Sequence, residues 1–175
     1  MFYKILPMLL LATILFSCSE TKEEKIKIAV GLINSKSFES ALAKLDEIIS
    51  QDSSNAEAHY YSGVAQEGLE DYEKAIECYT KTIEIKPNYV RAFHSRATLN
   101  SKIGNFKDVV KDYTILLSIY NDDTDAIFER GRAYYEMNDL ESACHDWKTA
   151  SDMGNMEATR FYDKICTNQS ESEPF

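Results

Sequence analysis

The stretch Ala56 to Tyr89, AEAHYYSGVAQEGLEDYEKAIECYTKTIEIKPNY, reads as a helix, a tight turn and a second helix. Small residues, Gly63 and Ala75, stand where two helices must approach closely. Large apolar ones, Tyr72, Ile76, Tyr79 and Ile83, recur every three or four places and give the second half one apolar face. Gly68-Leu69-Glu70-Asp71 interrupts the pattern between the halves, Pro87 cannot continue the second helix, and Asn88 follows as a turn residue. The unit is two helices of about fourteen residues.

The same pattern returns on shifting the frame by about 34 residues. In 90–123, Ala97 takes the place of Gly63, Gly104-Asn105-Phe106 marks the turn, and Val109, Tyr113 and Leu116 continue the packing stripe. In 124–157, Gly131, Tyr134, Ala143, Trp147 and Ala150 fall on the equivalent places. In 22–55, Phe38, Ala41, Leu45 and Ile48 suit the second helix, while Ala29 and Leu32 match the first only loosely. Asp52-Ser53 and Asn121-Asp122 stand where Pro87 stands, so those helices are expected to fray or to end differently, without loss of the fold.

Gly63, Ala75, Tyr79 and Pro87 have the spacing of the tetratricopeptide repeat, and four units in one register make the whole stretch resemble that family. The resemblance implies an all-α fold: a right-handed α-solenoid of about four helix-turn-helix units. A last helix over 156–166, MEATRFYDKIC, would cover the apolar face of the fourth unit, as terminal units of solenoids must. Residues 167–175, TNQSESEPF, are polar and acidic and read as a disordered tail.

Composition agrees. The 175 residues are 44% hydrophobic, enough for a substantial core, and 3 Pro with 6 Gly leave little room for long loops. The net charge of −10 and the lack of a basic stripe exclude a nucleic-acid partner, since such a field repels phosphate backbones. The acidity instead suits a solvated surface.

Residues 1–17, MFYKILPMLLLATILFS, carry Lys4 ahead of the apolar run Ile5 to Phe16, a secretory signal pattern too short to span a bilayer unaided. Leu15-Phe16-Ser17-Cys18 resembles the bacterial lipobox, which implies a lipid on Cys18. The residues from Cys18 to Thr21 would then form a tether holding the protein at a membrane of the cell envelope, facing the periplasm or the exterior. Phe16 is bulkier than the usual occupant of that motif.

Catalysis has little support. His59, His94 and His145 lie in three different predicted helices without metal-ligand spacing, and no phosphate loop, CxxC pair or GxSxG elbow is present. No catalytic residue, cofactor or metal is expected. Arg96 and Asp112 lie sixteen apart, as do Arg130 and Asp146, and flank the interhelical turn symmetrically. Folding the hairpin brings each pair face to face, and in the second unit Ser62 and Cys78 replace both charges together, as an ion pair between helices requires. With Cys18 assigned to lipid, Cys144 and Cys166 are equidistant from Asn155 in the final turn, so antiparallel pairing of the last two helices predicts a disulfide between them and leaves Cys78 free.

In the family that the chain resembles, the first helices line a concave groove that takes a peptide segment of another protein. By the same offset that face presents Tyr60, Val64 and Glu67, then Arg91, His94, Thr98 and Ser101, then Phe128, Arg132 and Tyr135, with Ile26, Val30 and Ile33 in the first unit. Aromatics beside arginine suit a peptide groove, because planar side chains give contact area at little entropic cost; packing of Tyr60 and Phe128 onto neighbouring helices is the competing reading. The Lys/Asn pattern with which some tetratricopeptide domains clamp a chaperone's C-terminal carboxylate is missing. The function read from the sequence is a non-catalytic protein-binding module. Its alternatives are an assembly subunit of an envelope complex that uses its convex or terminal faces, and a glycan-binding accessory.

Overall fold

A computed structural model describes residues 21–167, so the expected signal sequence over 1–17, the lipidation expected on Cys18 and the tail beyond Thr167 lie outside the described residues. Those residues form an all-α solenoid: α1 (Lys22–Asn34), α2 (Phe38–Gln51), α3 (Ala56–Gly68), α4 (Tyr72–Ile85), α5 (Val90–Lys102), α6 (Phe106–Ile119), α7 (Thr124–Glu136), α8 (Leu140–Asp152) and α9 (Met156–Phe161). Each helix packs mainly on the next, as expected of stacked hairpins.

The turn inside each hairpin is made the same way four times. Lys36, Glu70, Gly104 and Asn138, spaced by the repeat, all adopt positive φ, between 60° and 80°. The amide that follows each bonds back to a carbonyl in the last turn: Ser37 to Leu32, Asp71 to Gln66, Asn105 to Asn100 and Asp139 to Tyr134. These are Schellman closures, which satisfy carbonyls at the end of a helix. Only Gly104 takes the left-handed conformation without a steric penalty from Cβ, so the backbone geometry is imposed by packing of the hairpin as much as by local preference. Six of the nine described starts are capped by side chains: Thr21 with Glu24 in a capping box, then Asn55, Asp71, Asp123, Asp139 and Asn155.

The expectation that α2 and α6 fray or end differently for want of a proline is corrected. They end at Gln51 and Ile119, at the register of Ile85 in α4. Asp52, Lys86 and Tyr120 then turn to extended backbone with ψ between 87° and 88°. The stop comes from the next hairpin docking, and Pro87 merely agrees with it. The fourth unit does differ: α8 stops at Asp152, Gly154 has φ +96°, and α9 begins two residues earlier than the period requires. The capping element is also not one regular helix, since α9 passes at Tyr162–Cys166 into a π-helical turn.

The core is a chain of linked clusters. Gly63 faces Tyr79 so closely that a Cβ would come within 2.5 Å of the ring, and at Gly131 a Cβ would lie 2.8 Å from the Trp147 indole. Ala97 and Tyr113, and Ala29 and Leu45, occupy these places in the other units, all at least 97% buried. The cap contributes Phe161, whose ring packs on Phe128 and Trp147.

Both expected ion pairs form. The Arg96 guanidinium donates to both Asp112 oxygens at 2.9 and 2.6 Å, and Arg130 to both Asp146 oxygens at 2.8 Å. Each arginine also reaches back across the repeat boundary, Arg96 to Thr80 at 2.8 Å and Arg130 to Thr114 at 3.4 Å. One side chain therefore ties the two helices of its own unit to the preceding one. Asp112 and Asp146 are each 2% exposed. Burial pushes the Asp112 carboxyl above its ordinary range even against the pull of Arg96.

Removing Arg130 would strand the Asp146 carboxylate, so Arg130→Ala is expected to cost about 3 kcal/mol, and the Arg130→Ala/Asp146→Ala double variant much less than the two single losses together. Denaturant unfolding of the four proteins of that cycle checks it; additive losses would contradict the pairing. Cys144 and Cys166 are bonded, Cα to Cα 5.8 Å, across a separation of 22 residues. Cys166→Ser is expected to lower stability by about 3 kcal/mol, with hydrogen exchange accelerating first in α9; equal protection of α9 with and without the bond would refute the clasp.

Candidate functional site

The odd-numbered helices form one face of the solenoid, and the sequence-predicted residues fall on it in two groups. At the first, the Tyr60 ring meets Tyr61 edge-on at 5.3 Å and Tyr89 at a tilt at 5.1 Å between centroids, and the Arg91 guanidinium lies over Tyr60 at 5.1 Å and over Tyr89 at 5.6 Å. Tyr89 and Arg91, with Glu57, Lys86 and Asn88, line a depression of about 420 Å³. These ring contacts, with Tyr79 as a third neighbour, explain why Tyr60 is only 9% exposed. Phe128, 5% exposed, is likewise spent on Phe161 of the cap. The expectation that these two aromatics stand open to a ligand is thus corrected, because Tyr61, Tyr79 and Tyr89 cover the first and Phe161 the second.

The second group is more open. His94, Thr98, Ser101 and Arg132 come together around a depression of about 350 Å³, with Lys102, Tyr113 and Glu129. Thr98 and Arg132 are exposed, His94 and Ser101 half-buried, and Tyr135 on α7 is 43% exposed. Val64 and Glu67 are half-buried at the α3 end of this face.

Lys102 and Arg132 each already face a carboxylate, and the His94 ring meets one too. Lys102 lies 3.8 Å from Glu67, Arg132 lies 3.0 Å from Glu129, and His94 Nε2 is 2.9 Å from Asp123. Asp123 simultaneously caps α7 by accepting from the Ala126 amide, so the His94 ring is anchored to a helix start. The surface is mixed in sign and half-neutralised, with exchangeable exposed pairs that contribute little to stability and can re-partner with a ligand.

Aromatic tips from the even-numbered helices reach the same face. Tyr79 of α4 donates its hydroxyl to Glu67 at 3.1 Å, and Tyr113 of α6 packs edge-on against His94 with centroids 5.5 Å apart. Burial, first of all, raises both phenols above their ordinary range, which keeps them neutral. Sequence reasoning missed Lys102, Glu129 and Asp123 because it followed the first-helix stripe alone. Their signal was available in the charge pattern, a lysine at the end of α5 facing a glutamate one repeat earlier.

Elsewhere chemistry is muted. Burial pushes the Cys78 thiol up to about 11, so it remains protonated and a poor nucleophile at neutral pH. Among the described residues no group of three or more His, Cys, Asp or Glu side chains converges as a metal site would, and no helix is long and apolar enough to cross a membrane.

Comparison with known proteins agrees with this architecture. Residues 56–89 match the tetratricopeptide repeat family model. The chain is 42% identical over 43 residues to the human small glutamine-rich tetratricopeptide repeat-containing protein beta, and 27% identical over 190 residues to rat RNA polymerase II-associated protein 3, covering 90% of this chain. It spans 14% and 28% of the lengths of those two relatives. Among solved structures, MamA 41-end from Desulfovibrio magneticus RS-1 superposes with a TM-score of 0.72 at 22% identity, over 84% of this chain and 86% of that one. The first TPR of Spaghetti (RPAP3) bound to the HSP90 peptide SRMEEVD superposes with a TM-score of 0.60 at 26% identity, over 68% of this chain and 96% of that one. The chain thus carries a unit similar to the tetratricopeptide repeat at 56–89, within a helical-repeat fold similar to these solved solenoids across most of its length.

Proposed function

We propose that this protein is a non-catalytic interaction module that holds an extended or helical segment of another protein against the face of its odd-numbered helices, between α3 and α9. The observation that carries the reading is the depression bounded by His94, Thr98, Ser101 and Arg132, an open surface where paired charges and hydrogen-bonding groups converge. Similarity to a tetratricopeptide domain that binds an HSP90 peptide supports a peptide as the ligand class. The ligand differs from SRMEEVD in character, because the cations here, Lys102 and Arg132, are partnered by Glu67 and Glu129. A strongly acidic segment would have to displace those carboxylates, so a segment of mixed charge fits better.

A second reading, an assembly subunit that uses its outer face, has its own support: Ile115 and Ile119 project from one stripe of α6, 38% and 44% exposed. Anchoring to a bacterial membrane completes the proposal. It rests on the run Leu15-Phe16-Ser17-Cys18 and on the polar stretch that follows, and it assigns the lipid to Cys18.

Two experiments test these readings. Thr98→Glu with Arg132→Ala and Tyr135→Ala is expected to leave helicity and melting within a few degrees of the parent, since all three are exposed. The same variant should reduce recovery of a co-purifying partner by about tenfold or more; Ile115→Ala with Ile119→Ala serves as the comparison. Undiminished recovery by the first variant together with loss in the second would transfer the function to the outer face. For the anchor, Cys18→Ser is expected to abolish incorporation of labelled palmitate and to release the protein from the membrane fraction, and a parent protein that takes up no label would end that part of the proposal.

A further inference from the structure

Tyr79, Tyr113 and Trp147 occupy one place in three successive units, 34 residues apart, each on the second helix of its hairpin and each facing a small residue of the first. In the first, the polar tip passes between helices and finds a partner, Tyr79 donating to Glu67 at 3.1 Å; in the second, the Tyr113 ring packs edge-on against His94. In the third, the chain's single tryptophan breaks the series. Trp147 is fully buried, and its Nε1–H has no hydrogen-bond partner among the described residues. An unpaired buried donor of this kind costs about 1–3 kcal/mol, so a protein that keeps one without a use for it is unusual.

The geometry shows where the donor is aimed. Its Cδ1 and Nε1 lie 2.8 Å from the position a Cβ on Gly131 would take, so the pyrrole edge of the indole, rather than its benzene ring, is turned toward the backbone of α7. One turn further along α7 stands Tyr135, its ring tilted 43° against the indole with centroids 5.6 Å apart. Tyr135 is 43% exposed and is the aromatic that the sequence assigns to the ligand face. Glycine at 131 leaves the N–H without a side chain over it on that side. Tyr135 is thus an exposed side chain in direct ring contact with the buried indole, three residues along α7 from Arg132.

We propose that the Trp147 indole N–H is a recessed donor for a main-chain carbonyl of the bound segment, reached when Tyr135 swings aside and packs on that segment. The inference rests on the peptide-binding reading above and adds to it a register: one carbonyl of the ligand sits over Gly131. A neutral donor in a dry pocket favours a carbonyl oxygen, and it reads no side chain, so it contributes affinity for extended backbone rather than sequence preference.

The full chain, labelled with ¹⁵N, gives one indole cross-peak, because there is one tryptophan. The probe is a peptide selected against the parent protein from a phage-displayed library of random dodecapeptides. The free protein is expected to show the indole proton at the upfield position of an unbonded donor, moving downfield on saturation with the peptide. Trp147→Phe, which keeps an aromatic ring and removes the donor, should weaken that peptide about three- to tenfold, whereas Phe in place of Tyr79 should weaken it far less. An indole proton already downfield in the free protein would mean that a buried water holds the donor, and would overturn the proposal. So would a cross-peak unmoved by a peptide whose binding Thr98→Glu/Arg132→Ala abolishes; in that case the groove reading stands alone. Selection that yields no binding peptide would sink both. The wild-type cross-peak decides the question even if Trp147→Phe does not fold.

Discussion

The close approach of the two helices in each hairpin is the constraint on which the other features depend. Gly63 and Gly131 admit the rings of Tyr79 and Trp147 to distances that any side chain would forbid. That depth of insertion brings the aromatic tips of the even helices to the face of the odd ones. The same approach sets Arg96 opposite Asp112 and Arg130 opposite Asp146, and leaves so little space at the turn that Lys36, Glu70 and Asn138 accept a left-handed backbone. A wider hairpin would lose the packing, the ion pairs and the path of the aromatic tips together.

Between units, cohesion has two sources of different character. Apolar clusters that pass from one hairpin to the next supply most of the driving force, without direction. The arginines supply direction: each is fixed by its own aspartate and bonds a threonine in the previous unit, so it specifies how far one hairpin rotates on the next. A buried ion pair adds little net stability, but a misplaced one is costly, and such pairs therefore suit the task of setting register. At the C-terminal end that register slips by two residues, and the stack is closed by a short helix, a π-helical turn and a disulfide to α8.

The face that results is economical in free charge. A face with unpaired cations would attract any acidic segment, whereas here Glu67 and Glu129 already answer Lys102 and Arg132, so an incoming acidic group would have to exchange with them. Tyr60 and Phe128 illustrate the boundary between core and site. Both lie on the ligand stripe by periodicity, and both are used up by Tyr89 and Phe161, which stand in the next unit or at its threshold.

Taken alone, the sequence determined the period, the four hairpins and their apolar stripes, both arginine–aspartate pairs and the partnership of Cys144 with Cys166. All of these are written in spacing within a unit or across one turn, where helix geometry leaves few alternatives. The tertiary structure alone decided what depends on one unit meeting another. It ends α2 and α6 where α4 ends, although Pro87 has no counterpart in them. It also buries Tyr60 and Phe128, extends Arg96 to Thr80, and leaves the Trp147 donor without a partner among the described residues. The physical reason is that side-chain periodicity states which face of a helix a residue occupies, while burial and pairing are settled by the neighbour that docks on that face, and the neighbour's own side chains lie a full repeat away in the chain.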